Sequence, residues 1–272
     1  MDFFLSRDWF NRSGPYAFKP EHFIFIAISI IIGVLLGFFL RKKSLKTIRI
    51  TLSALWATVV AIDLLKWIIV WYCVAKGIEG PFDPTILLPL HSCSMFMYVF
   101  PVAFFVKQET LKRAANNFLI SVNMIMGFIT LFVGFSGKGC SVFSFFGMHT
   151  LIYHALIFIV PLVMLMTGVY KPKIKDIYYG LGLFLILAII VWTYDAITKN
   201  DYMYIYDGHT FGVFKFIYEN VHHLVWTLIS VSAYLITGIA THFLVIGIIF
   251  LIEKRHNKAE NISVRKGENN NG

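Results

Sequence analysis

Cys93 stands in the run Leu88-Pro89-Leu90-His91-Ser92-Cys93-Ser94. A cysteine acts as a nucleophile through its thiolate, which a helix N-terminus and a neighbouring histidine both favour. Pro89 suits the first turn of a helix, where its missing N–H costs nothing. The run therefore predicts a helix start at Pro89 with Cys93 one turn in, and backbone N–H groups nearby to hold a developing oxyanion. The plain alternative is that Cys93 is a small buried hydrophobe. His91 is two residues away, about 200° around a helix, which makes it a poor base for Cys93 and a better supporting group. His149 and His154 are five apart, about 140° around a helix, so only one of them faces any given partner. Asp63 and Lys66 share a helical face at i, i+3; they either neutralise each other or serve a site. Asp195, His222 and His223 complete the ionisable groups near apolar runs.

Two kinds of chemistry follow. In the first, Cys93 attacks an ester carbonyl, His154 (or His149) moves the proton, and Asp63, Asp195 or His91 orients the histidine. In the second, His91, His149, His154, His222 and His223 with Asp63 or Asp195 supply three ligands to Zn²⁺ in a membrane hydrolase. No tight ligand spacing such as HExxH is present, so no metal is expected. No nucleotide- or phosphate-cradling motif is present either, so no cofactor is expected. A transporter or receptor with a polar cavity opening outward is the non-enzymatic alternative.

The elements that must position these groups are membrane helices. The 272 residues are 58% hydrophobic and 14% charged, with mean hydropathy +0.72. A soluble domain is closer to half apolar and a quarter charged, and could not cover 27 Phe, 13 Tyr and 6 Trp without large sticky patches. A spanning helix needs about 20 mostly apolar residues. Seven candidates meet or approach this: 23–40, 51–72, 86–106, 115–135, 147–169, 177–197 and 224–251. The expected fold is an all-α polytopic transmembrane bundle of about seven spanning helices. Its expected parts are an extracytoplasmic segment 1–22, a membrane-embedded domain 23–252 and a polar, disordered cytoplasmic tail 253–272. The first apolar run follows an acidic, aromatic segment and lacks a small-residue cleavage site, so no cleaved signal peptide is expected.

Charge sets the expected orientation. Sixteen cations fall in the segments after spans one, three, five and seven: 41–49, 107–113, 171–175 and 254–266. Seven fall on the other side: Arg7, Arg12, Lys19, Lys76, Lys138, Lys199 and Lys215. The richer side is cytoplasmic, so the N-terminus is outside and the C-terminus inside. The net charge of +9 thus reports topology, and nucleic acid is not an expected partner. With three cysteines there is no disulfide framework, although Cys73 and Cys140 are a natural outer-face pair. In this topology Asp63, Lys66, His91, Cys93, His149, His154, Asp195, His222 and His223 all fall toward the outer half. Only His242 and Glu253 lie deeper or inside. The tyrosine- and phenylalanine-rich segment from Thr198 to Val221 reads as an interfacial anchor or as a lid over a site open to the outer leaflet.

The LPLHSCS run, with Asp63-Leu64-Leu65-Lys66-Trp67 before it and His149-Thr150-Leu151-Ile152-Tyr153-His154 after it, resembles the bacterial YwaF-like integral membrane proteins. These look related to the animal TMEM164 proteins. The resemblance covers most of the helical region. It implies a multi-pass protein of the bacterial plasma membrane and a cysteine-dependent acyltransferase acting on a membrane phospholipid or lysolipid within the bilayer. Carried onto matching positions, the key cysteine is Cys93 and the key histidine is His154, with His149 the alternative. The ether-lipid substrate of the animal members is not carried over.

Overall fold

The computed structural model describes residues 17–77, 88–133, 142–207 and 212–269, and the side chains within them except those of 212–214 and 256–269. It is helical, with no strand among the described residues. In chain order the helices are α1 (Pro20–Leu40), α2 (Leu45–Ala75), α3 (Phe96–Phe105), α4 (Glu109–Val133), α5 (Phe145–Thr167), α6 (Asp176–Thr198), α7 (Gly212–Glu219) and α8 (His223–Asn269). Six of them, α1, α2, α4, α5, α6 and α8, are long and apolar enough to cross a membrane.

Local sequence explains the ends. Pro20 occupies the first turn of α1, and Ser44 and Ser144 cap α2 and α5 by accepting the backbone N–H of Thr47 and Gly147. Gly168 takes the left-handed conformation that closes α5. α8 runs on past residue 253 to Asn269, so that stretch of the tail is helical rather than disordered. The reason is visible in its sequence: it has no proline, no glycine before Gly267, and many Glu, Lys and Arg.

The third predicted span is the exception. Residues 88–106 do not form one regular helix: α3 begins at Phe96 and holds ten residues. At 1.5 Å per residue that is about 15 Å, half the hydrocarbon thickness. Residues 88–95 instead pass through turns. Irregular backbone at membrane depth survives only when buried in protein, and neighbours here supply the bonds. Pro101 has no N–H to offer the carbonyl of Met97, four residues back, and Trp56 Nε1–H of α2 takes that place at 3.0 Å. Arg49 donates to the carbonyl of Phe104 at 2.9 Å.

Two helices form the centre. The apolar windows of α4 and α5 are 56% and 61% buried, against 22–28% for the other four, whose outward Ile, Leu and Phe side chains suit lipid. α5 packs against α1, α2 and the second half of α4, while the first half of α4 packs against α3 and α6. Close approach of α4 to α5 depends on Gly127, where a Cβ would stand 2.8 Å from Ile157 Cγ2 and 3.5 Å from the His154 carbonyl. α4 is interrupted by a π-helical turn, Leu119–Asn123, against which α8 packs. His22 ties α1 to the end of α4: its Nδ1 accepts from Phe18 N–H, so its Nε2–H donates to the Leu131 carbonyl at 2.7 Å.

Buried polar groups beyond those singled out from sequence include the surroundings of His242, the one deeper group expected within the spans. A second cluster lies at the starts of α4 and α6. Asp176 bonds Arg113, the Tyr170 hydroxyl at 2.8 Å and the Lys173 N–H at 3.0 Å. Burial first, and then the Asp176 carboxylate, push the Tyr170 phenol up from its ordinary range, so it stays a donor. Asn117 Nδ2 donates to His242 Nδ1 at 2.8 Å nearby. The sequence reading placed Arg113 and Asp176 outside or at the edge of the spans; the fold joins α4 to α6 through them.

Candidate functional site

The site grows from the turns that replace the start of the predicted third helix. Cys93 lies ahead of α3, not one turn inside it. The four N–H groups of the first turn of α3, from Phe96 to Val99, are already bonded to the carbonyls of Cys93, Ser94 and Met95. They are not free to bind an anion; the N–H groups nearer Pro89, where an oxyanion was expected to sit, are a separate set, of which Leu90 bonds the Leu88 carbonyl and Met95 that of His91. What holds the turn is Asn123 of the π-helical turn, whose Nδ2 donates to the carbonyls of Ser92 at 3.0 Å and Cys93 at 2.9 Å. A π turn shifts the helix register by one residue and is common at functional sites. Here it presents the amide to two successive carbonyls.

The sulfur of Cys93 has polar neighbours. Ser94 Oγ stands 4.0 Å away, the N–H groups of Cys93 and Ser94 are directed at it, and Lys66 is within electrostatic range. Cys93 is half-buried and Ser94 buried.

Lys66 comes from α2, where its Nζ donates to Asp63 Oδ1 at 2.5 Å. The side chains are 12% and 5% exposed, so the pair is a buried one. His149 Nε2 lies 3.8 Å from the same Asp63 oxygen. Asp63, Lys66 and His149 thus form one group. Its charge faces the site: Lys66 is also within electrostatic range of His91 and His154.

His154 follows from α5. Its Nδ1 lies 2.7 Å from the carbonyl of Thr150, one turn back. A carbonyl only accepts, so Nδ1 carries the proton and, in the neutral ring, Nε2 is the basic atom. The group that orients His154 is this carbonyl, not Asp63, Asp195 or His91 as expected from sequence. Tyr153 separates the two histidines. Its ring stacks on His149 at 5.3 Å and meets His154 edge-on at 5.4 Å. No hydrogen bond joins the Cys93 sulfur to His154 or His149 among the described residues.

A strap from the segment between α6 and α8 covers the turn. Tyr202, Met203 and Ile205 are buried in the bundle, so this part is not an interfacial anchor. Met203 and Tyr204 take φ of 57° and 55°, a strained choice for residues other than glycine. The strap is held at several points. His91 Nδ1 accepts from Met203 N–H at 3.3 Å, its ring lying between Tyr202 and Tyr204. The Tyr234 hydroxyl of α8 donates to the Met203 carbonyl at 3.0 Å, and Ser92 Oγ is 3.4 Å from that hydroxyl. Tyr202 OH accepts the Leu88 N–H at 3.1 Å. Asp195 accepts the Tyr202 N–H at 2.9 Å and so serves the strap rather than a catalytic histidine. Phe216 of α7 is 69% exposed, and there the interfacial reading fits.

Of the residues singled out from sequence, the fold brings Cys93, His91, His154, His149, Asp63 and Lys66 together and leaves three apart. Asp195 anchors the strap. His222 is exposed at the start of α8, and His223 packs against Tyr206 and Tyr218. Among the described residues no three His, Cys, Asp or Glu side chains come to metal-ligand spacing. Cys73 is buried, and its suggested partner Cys140 lies outside the described residues. Sequence reasoning passed over Asn123, Ser94, Thr150, Tyr153 and Tyr234. The available signals were an amide inside the apolar run of α4 and a tyrosine between two histidines.

The sequence model of the TMEM164 family matches residues 17–252, which includes every helix that frames this site. The chain belongs to the TMEM164 family. No curated protein and no solved structure matches it. Family membership and six apolar helices make this a multi-pass helical membrane protein.

Proposed function

We propose that this TMEM164-family protein is a membrane-embedded lipid acyltransferase that works through a thioester on Cys93, within the bacterial YwaF-like branch and in the plasma membrane. The observation that carries the reading is the seat of the sulfur: a thiol in a turn clamped by Asn123, faced by a hydroxyl, two N–H groups and a buried ammonium. In the proposed reaction these donors meet the negative charge that develops on the sulfur as its proton leaves.

In the proposed reaction His154 Nε2 takes the Cys93 proton. The two come within reach in the substrate complex, as catalytic hydrogen bonds often tighten only there. The sulfur attacks the ester carbonyl of a membrane phospholipid, an S–C bond forms, and the carbonyl π pair moves onto oxygen. Collapse breaks the C–O bond, and the imidazolium of His154 returns the proton to the leaving lysolipid oxygen. An acceptor lysolipid hydroxyl, deprotonated by His154, then attacks the thioester; the new C–O bond forms, the C–S bond breaks, and the imidazolium returns its proton to the Cys93 sulfur. Water in the acceptor's role would make the protein a hydrolase. The zinc hydrolase alternative lacks a set of three ligands among the described residues.

Lipid profiling of cells expressing the wild type or Cys93→Ala tests the proposal. The wild type should shift acyl chains between phospholipid and lysolipid pools, and Cys93→Ala should match cells without the protein. Identical profiles in wild-type and Cys93→Ala cells, both different from control, would overturn the cysteine mechanism.

A further inference from the structure

The reaction above leaves one charge unaccounted for. When sulfur attacks the ester, negative charge develops on the carbonyl oxygen, and a donor must meet it. The N–H groups of the first turn of α3 are engaged. The N–H groups of Cys93 and Ser94 are directed at the sulfur.

Two side chains of the site have donors without a hydrogen bond, His149 and Tyr153, and His149 faces the Asp63 carboxylate. Tyr153 is 3% exposed, yet its hydroxyl makes no hydrogen bond. Cys93 and Asp63 are within electrostatic range of that hydroxyl, and the Ser94 hydroxyl lies beside it. Its ring cannot easily turn away, being stacked on His149 and set edge-on against His154. A buried hydroxyl without a partner costs stability, and proteins rarely leave one without a use. Tyrosine is a donor that remains protonated in an apolar setting, which suits it to an oxyanion.

We infer that Tyr153 is a catalytic residue whose hydroxyl donates a hydrogen bond to the oxyanion formed when Cys93 attacks the lipid ester. The proton stays on tyrosine throughout; only the hydrogen bond forms and is released as the C–O bond breaks. The inference rests on the acyl-transfer reading and names one more group in it.

The test uses the full chain in proteoliposomes, with a fluorescent-acyl phosphatidylcholine as donor and a lysophosphatidylcholine as acceptor. Tyr153→Phe keeps the ring and its stacking. It should lower kcat by about 10²–10³-fold, with KM and the thermal midpoint little changed. Alkylation of Cys93 by iodoacetamide should proceed at the wild-type rate, because that reaction develops no oxyanion. Full kcat in Tyr153→Phe, with Cys93→Ala inactive, would overturn this inference and leave the cysteine mechanism standing. A loss of kcat matched by equally slow alkylation would also overturn it, since the tyrosine would then act through the thiol. Activity in Cys93→Ala would instead sink the acyl-transfer reading itself. Should Tyr153→Phe unfold, 3-fluorotyrosine at position 153 decides: kcat should change with the more acidic phenol, and an unchanged kcat would overturn the inference.

Discussion

Cys93→Ala should abolish acyl transfer, and His154→Ala should lower it by about 10²–10⁴-fold, the usual worth of a general acid–base group. Neither change should cost much stability. Cys93 is a small half-buried side chain, and alanine retains its Cβ. His154 is buried, but its one bond is to a carbonyl of its own helix, which alanine leaves to the helix ladder. The two effects should not add: once the nucleophile is gone, losing the base has nothing further to remove. Thiol chemistry gives a second reading of the same unit. A lipophilic thiol probe should label Cys93 faster than the buried Cys73, and His154→Ala should slow that labelling. Turnover assays on both single mutants and the double mutant, with labelling followed by peptide mapping, check the prediction.

The second large effect concerns Asp63 and Lys66. Each is buried, and each is the other's closest opposite charge. Removing one leaves the other uncompensated in an apolar setting, which typically costs about 3–5 kcal/mol. Asp63→Leu should therefore destabilise strongly. Lys66→Met should cost less, because His149, 3.8 Å from Asp63, can take up a proton and replace part of the lost charge. The double change should recover most of the stability, as replacing a whole buried pair by apolar groups often does. It should not recover function. Lys66 is within electrostatic range of Cys93, His91 and His154, so its loss removes charge that favours the thiolate. Thermal midpoints in detergent measure the first half of this prediction, and Cys93 labelling rates the second. A double mutant that folds and labels at the wild-type rate would show the pair to be structural alone.

How far the sequence reached can be traced through particular residues. Long apolar runs announce α1, α2, α4, α5, α6 and α8, because a lipid-facing helix must be apolar over about 20 residues whatever its neighbours. The run 86–106 is equally apolar, yet of its described residues only those from Phe96 to Phe105 are helix, since Trp56, Asn123 and Tyr202 supply bonds that its own backbone does not. Those partners lie from 30 to 114 residues away in the chain, and no local pattern reveals them. The grouping of Asp63, Lys66, His91, Cys93 and His154 was legible because helix direction and residue depth follow from topology. The choice of orienting groups was not. The predicted topology puts Asp195 and His91 at similar depth, but only the strap shows that both are spent holding Tyr202 and Met203. The Arg113–Asp176 link was missed for a related reason: charges at helix ends look solvated until the fold buries them.

The central claim is that an acyl chain becomes bonded to the sulfur of Cys93. Protein in liposomes of a phosphatidylcholine with a heavy-isotope acyl chain, quenched in acid without acceptor, should gain the mass of that acyl group on the peptide containing Cys93. Neutral hydroxylamine should remove it, and His154→Ala should reduce its amount. No acyl adduct on Cys93 under conditions where the protein turns over phospholipid, or an adduct that persists in Cys93→Ala, would contradict the account.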